Sequence, residues 1–167
     1  MCEESYISYD IQIIYYEFSI KQGMNMVDET DKKIIEKLEE NSRRAFTDIA
    51  DDLGISEATV RNRVKALEEK GIIKKYTIEM DPSGLGYDTV AIIGIDIEPE
   101  NLLEVSNMLS EFDRVKFVAT SAGDHMIMFE AWAENNEDLG KFISEEIGEI
   151  EGVKNICPAI ILEKVKY

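Results

Sequence analysis

Apolar residues recur at three- and four-residue steps over two neighbouring stretches, residues 46–53 and 57–69. Phe46, Ile49, Ala50 and Leu53 fall on one face in the first, and Val60, Val64 and Leu67 in the second. Gly54 lies between them, so the pattern predicts two short helices joined by a tight turn. Ser56 is placed to cap the second helix, because its hydroxyl can accept a bond from an otherwise orphaned backbone N–H. Glu57 follows where the helix dipole favours an anion. Thr59 stands where a capping box would carry Glu or Gln. Setting Val60, Val64 and Leu67 inward leaves Ala58, Thr59, Asn62 and Lys65 outward, with Arg61 and Arg63 on the flanks. A helix-turn-helix of this kind can set its second helix in the major groove of DNA. A plain helical hairpin with a solvated charged face would carry the same pattern.

An amphipathic helix is expected from Val27 to Glu40, with Ile34, Ile35 and Leu38 inward, Asp28 or Thr30 as its cap, and Lys32, Lys33 and Lys37 outward. Asn41-Ser42-Arg43-Arg44 turns the chain and completes a three-helix unit. Lys74–Ile78 reads as a short strand. Asp81–Gly86 is a turn-rich linker, where the domain boundary is expected. Beyond it, residues 88–97 are β-rich, and Pro99 and Asn101 open a helix carrying Leu102, Leu103, Val105, Met108 and Leu109. Residues 115–121 are again strand-like, and Gly123-Asp124 makes a tight turn. From 126 to 133, Met126, Met128, Glu130 and Trp132 alternate with Ile127, Phe129, Ala131 and Ala133. A helix over 136–150 and a strand over 153–165 complete the order β-α-β-β-α-β. This order predicts an α+β chain whose second half is ferredoxin-like, with helices on one sheet face. Its strands are apolar on both sides, so the other face needs a cover too, most simply a second copy.

Residues 1–25 differ from the rest. Ile7, Tyr9, Ile11, Ile13 and Tyr15 alternate with mostly polar neighbours, and four of the seven tyrosines fall in this stretch. Two readings stay open: an extra strand pairing with a sheet edge, or a natural start at Met24 or Met26. The abrupt change of composition near Lys21 favours the second. The expected domains are an N-terminal extension over 1–25, a helix-turn-helix domain over 26–76, a strand and linker over 77–87, and a ferredoxin-like domain over 88–167.

Charge changes the picture once it is divided along the chain. The net charge is −17, yet residues 28–76 carry 11 basic against 12 acidic residues, so nearly all the acidity lies elsewhere. Phosphate attraction is local and screened within roughly 10 Å, so a helix-turn-helix spared the acidity can still meet DNA. An acidic second domain would hold the duplex to one side. No apolar run approaches a membrane span and no signal peptide is expected, while Cys2 and Cys157 form no metal or redox spacing. A reduced cytoplasmic setting with no cofactor fits best. The single histidine argues against a His-based metal site. An enzyme has little support: no nucleophile with a base and no phosphate loop is visible, and Asp124 with Glu130 is a poor case for paired catalytic carboxylates.

Several spaced motifs resemble the Lrp/AsnC, or feast/famine, family of transcription regulators over residues 27 to about 165. Asp28-Glu29-Thr30-Asp31-Lys32-Lys33-Ile34-Ile35 is similar to its opening pattern, and Asn41-Ser42-Arg43 to its Asn/Asp-x-Arg segment. Ile49-Ala50 stands before the turn. Ser56 follows, with Arg63-Val64-Lys65-x-Leu67-Glu68-x-x-Gly71-Ile72-Ile73, Tyr76, and Asp81-Pro82-x-x-Leu85-Gly86. The resemblance implies a winged helix-turn-helix domain joined to a regulatory domain that dimerises through its sheet and often assembles further, into octamers. It also implies amino-acid binding between regulatory domains near the turn Thr120-Ser121-Ala122-Gly123-Asp124-His125, where Gly123 would let backbone amides approach a carboxylate and Asp124 would pair with an ammonium group. The same Gly-Asp pair also suits a bare hairpin, and His125 reads more naturally as a turn residue than as a contact. On double-stranded DNA, Ser56, Ala58, Thr59 and Asn62 are the candidates for base edges. Arg61, Arg63 and Lys65 are the candidates for phosphate, with Arg43, Arg44 and Thr47 at the groove rim. Arg63 lies nearest the buried face and can brace the fold instead. The leading expectation is a sequence-specific regulator with a small-molecule effector; the alternative is an architectural DNA-binding protein without one.

Overall fold

A computed structural model describes residues 27–165. The expectations for residues 1–25 lie outside the described residues. The chain forms two compact units that divide between Ile78 and Glu79.

Among the described residues the first unit holds three helices: α1 (Glu29–Glu40), α2 (Phe46–Leu53) and α3 (Glu57–Glu69). Asp28 caps α1 in a reciprocal capping box with Asp31, each carboxylate accepting the other's backbone N–H. Gly54 ends α2 with φ 64°, a left-handed conformation that a side chain would strain. Ser56 Oγ accepts from Thr59 N at 3.1 Å and starts α3. The inward stripes meet in a core of Ile34, Leu38, Ile49, Ala50, Val60 and Val64, with Phe46, Leu53, Ile55 and Ile73 packed against it. Burying an aliphatic side chain of this size contributes about 1.5–3 kcal/mol. The expected strand over Lys74–Ile78 is not formed: the segment is exposed and pairs with no strand among the described residues. A wing needs a second strand to bond, and none is seen among the described residues of this unit, which are helical or irregular.

The second unit is a four-stranded antiparallel sheet of order β2-β3-β1-β4, made of β1 (Thr89–Ile97), β2 (Val115–Thr120), β3 (Ile127–Ala133) and β4 (Val153–Ile160). Helices α4 (Leu102–Glu111) and α5 (Asn136–Lys141) complete the β-α-β-β-α-β order. Ala91, Ile93, Ile95 and Ile97 of β1 and Ile127, Phe129, Ala131 and Ala133 of β3 face the helices, where they meet Val105, Leu109, Leu139, Phe142 and Ile147. Two boundaries differ from expectation. The helix expected to reach residue 150 ends as α5 and widens into a π turn over Phe142–Ile147, which buries both Phe142 and Ile147. The strand expected over 153–165 stops at Ile160, because Ile161 N bonds Val90 O at 2.8 Å near the start of β1 and there is little partner strand beyond it. Leu162 and Val165 are then 95% and 92% exposed.

The opposite sheet face carries Val90, Ile92, Gly94 and Asp96 of β1, Met128, Glu130 and Trp132 of β3, Phe117 and Ala119 of β2, and Asn155, Cys157 and Ala159 of β4, by strand register. None of the described helices of the unit packs on it, and Phe117 stands 52% exposed.

One long-range contact fixes α3 against α1. Arg63 donates to Asp28 Oδ2 and to Asp31 Oδ1, both at 2.7 Å. The Asp31 backbone N–H first, then Arg63, holds the Asp28 carboxyl below its usual range. A depressed carboxylate pKa stabilises the fold above its unfolded value and ceases to do so as pH falls through the folded value. Replacing Arg63 with alanine is therefore expected to destabilise the protein by about 1 kcal/mol near neutrality, and the difference from wild type should shrink below about pH 4. Urea melts of both proteins at the two pH values test this.

Candidate nucleic-acid interface and effector turn

The outward face of α3 begins at its capped end. Ser56 Oγ and Thr59 Oγ1 lie 2.8 Å apart, so the two hydroxyls are occupied with each other and with the cap. Ala58 and Asn62 are exposed, and Thr59 is half-buried. A surface of small and amide side chains at a helix N-terminus can approach base edges closely, and Asn can pair bidentately with adenine.

The cations are less free than the sequence implied. Arg61 is paired with Glu57 one turn back and lies over the Phe46 ring, 5.5 Å from its centroid. Lys65 sits 3.6 Å from Glu69. Arg44 is paired with Asp52 and lies 3.7 Å from Glu40. Arg63 is turned to α1 by Asp28 and Asp31, and its pKa is raised by these carboxylates, Asp31 first. Arg43 is exposed, with its backbone N–H bound to Asn41 Oδ1 at 3.0 Å. Thr47 is exposed at the start of α2. Pairs on an open surface are worth about 0–1 kcal/mol. The two 2.7 Å bonds of Arg63 give it a bracing task instead.

In the second unit, the turn between β2 and β3 is closed by Ser121 N to Met126 O at 2.9 Å and tied to β1 by Met126 N to Ile95 O at 3.1 Å. Ser121 Oγ also donates to the His125 carbonyl. Thr120, Ser121, Ala122, Gly123 and Asp124 are all exposed. Gly123 is not among the glycines with positive φ, and a Cβ there would meet nothing within 4 Å. Its lack of a side chain is therefore not a demand of the hairpin, contrary to the bare-turn reading. His125 is half-buried. Its Nδ1 lies 3.2 Å from Asp96 Oδ1, and Asn155 Nδ2 donates to Asp96 Oδ2 at 3.1 Å. These bonds, Asn155 first and then His125, hold the Asp96 carboxyl below its ordinary range.

The imidazole rests on Gly94, where an added Cβ would lie 2.1 Å from His125 Cδ2 and 2.5 Å from Cγ. Neither Gly94 nor Asp96 is recognisable as part of this arrangement from sequence, because both lie far from His125 along the chain, Asp96 by 29 residues. Gly94→Ala is expected to expel the ring from β1 and to cost about 1 kcal/mol of stability. His125 is the chain's single histidine, so its imidazole NMR signals are unambiguous. They should move to solvent-exposed positions in the variant, and unchanged signals would refute the packing.

Comparison with known proteins agrees with both units. Residues 27–68 match the model of the AsnC-type helix-turn-helix domain, and residues 90–167 match that of the Lrp/AsnC ligand binding domain. The chain is 56% identical over 141 residues to the HTH-type transcriptional regulator LrpA of Pyrococcus horikoshii, covering 84% of this chain and 100% of that protein. It is 38% identical to the regulator Ptr1 of Methanocaldococcus jannaschii, over 84% of this chain and 95% of the other. Among solved structures it resembles AsnC of E. coli with TM-score 0.75 and 25% identity, over 86% and 97% of the two chains. It also resembles the transcriptional regulator NMB0573 of Neisseria meningitidis, solved as an L-Met complex, with TM-score 0.77 and 21% identity over 85% and 94%. None of the described helices is long and apolar enough to cross a membrane. A DNA-binding helix-turn-helix followed by a ligand-binding β-α-β-β-α-β domain, matched in order and nearly end to end, places this chain in the Lrp/AsnC family of transcriptional regulators.

Proposed function

We propose that this regulator reads specific DNA sequences as a dimer or larger homo-oligomer and is modulated in the cytoplasm by an amino acid or related small molecule at the 120–125 turn. The observation that carries the effector reading is Gly123, a glycine that the turn geometry does not require and whose open Cβ position admits close approach of a ligand to the backbone. Exposed Asp124 beside it supplies a carboxylate for an ammonium group. The complex of NMB0573 with L-Met supports the amino-acid class. Selection of bound sequences from a random duplex pool, with and without a panel of amino acids, tests this reading. An enriched motif whose affinity changes with one class of amino acid is expected. Binding without sequence preference and without any effector response would favour the architectural alternative.

On DNA, Asn62 is the proposed base reader, with Ala58 and Thr59 beside it and Ser56 holding the helix start. Asn62→Ala should cost roughly 1–3 kcal/mol on the selected site and little on random duplex. Equal losses on both would remove the base-reading role.

Assembly is proposed through the open sheet face. Ile92 and Met128 lie on neighbouring strands of that face, each half-buried within a single chain. Light scattering should give a dimer or a multiple of it for the wild type, and Met128→Lys should shift the mass toward the monomer, because a charge in a desolvated apolar contact is strongly disfavoured. A wild-type monomer at micromolar concentration would rule this interface out. Two recognition helices in a dimer predict near-palindromic sites, with half-sites about 10 bp apart or a multiple of that spacing.

A further inference from the structure

The chain leaving α3 is held at both ends. Lys70 N bonds Ala66 O at 3.0 Å, Gly71 N bonds Glu68 O at 2.9 Å, and Ile72 and Ile73 N both reach Leu67 O, at 2.9 and 3.2 Å. Ile73 then packs on the core of the three-helix unit. Three residues on, the Tyr76 hydroxyl donates to Glu68 Oε1 at 2.8 Å, back on α3. Burial first, then Glu68, pushes the phenol up to about 12, so it stays a donor at any physiological pH. Lys74 and Lys75 thus span two anchors on the recognition helix. Both are exposed, as is Lys70, and none of the three is ion-paired among the described residues. The acids nearest in sequence are engaged: Glu68 accepts from Tyr76, and Glu69 lies by Lys65.

We propose that Lys70, Lys74 and Lys75 form a phosphate-gripping ridge at the C-terminal end of the recognition helix. Helix α3 has 13 residues and is about 20 Å long, whereas the major groove is about 12 Å wide. A helix that meets base edges with its N-terminal residues therefore carries its C-terminal end out to the groove wall, where the phosphates are. The cations at its middle enter DNA already paired to Glu57, Asp28, Asp31 and Glu69. Among the described residues the ridge lysines have no partner to give up, and their fixed backbone lowers the ordering cost of contact. The proposal rests on α3 being the groove-facing helix.

The test is fluorescence anisotropy of the full chain on a random-sequence duplex across a salt series. Lys74→Gln with Lys75→Gln should lower the slope of log K against log salt by about 1.8 per bound protomer, and Lys70→Gln by about 0.9. The preference for a selected site over random duplex should remain. Lys33→Gln, an exposed lysine on α1, should leave the slope at the wild-type value. An unchanged slope in the ridge variants overturns the proposal, and so does an equal fall with Lys33→Gln, which would mean net charge alone. Tyr76→Phe keeps the charges and the slope but should lower affinity several-fold; wild-type affinity would overturn the anchoring. If α3 is not the groove-facing helix, Asn62→Ala will leave site preference intact as well, which separates that failure from failure of the ridge.

Discussion

Strand β1 is the constraint on which the regulatory unit depends. It lies between β3 and β4, and its alternate residues Ala91, Ile93, Ile95 and Ile97 are buried under the helices. Its other residues, Val90, Ile92 and Gly94, are also apolar; His125 covers Gly94, while Val90 and Ile92 stay only half-buried among the described residues. A strand of this kind cannot serve a free-standing, one-faced sheet without exposing apolar area that water disfavours. The composition of this strand is what motivates the proposed assembly through the outer face. The polar exceptions sit near its end, where Asp96 is bonded by Asn155 from β4 and by His125 from the turn. The turn between β2 and β3 is thereby tied to the same strand.

The DNA-binding unit solves a different problem. Its helices are short, and a short helix is marginal without tertiary support. The shared core supplies most of that support, and Arg63 adds a directional bond between the start of α1 and the middle of α3. That bond commits the Arg63 guanidinium to holding the two helices together. The rest of the helix surface follows the same division, with Ser56 and Thr59 committed to the cap and Asn62 left open.

Legibility in the sequence followed the range of each interaction. The three helices, their Gly54 turn and the Ser56 cap are local, with periods and offsets that can be read directly, and the β-α-β-β-α-β order emerged from alternating patterns. Lys74–Ile78 was misread as a strand, since its alternation is genuine but alternation alone supplies no bonding partner. The end of β4 was overextended for a related reason: Leu162 and Val165 are apolar, but β1 has run out beside them. The π turn at Phe142–Ile147 was invisible because the pattern of apolar residues specifies burial and not hydrogen-bond spacing. The seat of His125 on Gly94 was hidden in sequence too, since a glycine inside a strand gives no sign of which distant ring lies on it.

The charge distribution joins these points into one argument. A chain of net charge −17 meets a polyanion only if its cations are concentrated and not cancelled where contact occurs. Counting residues 28–76 as nearly neutral makes contact permissible but does not say which cations remain available. Pairing does. Arg44, Arg61, Arg63 and Lys65 are each held by a carboxylate of the same unit, so among the described residues the local surplus resides in those without such partners, Arg43 before α2 and the lysines after α3 among them. Neutrality in the sum is thus compatible with a specific electrostatic shape.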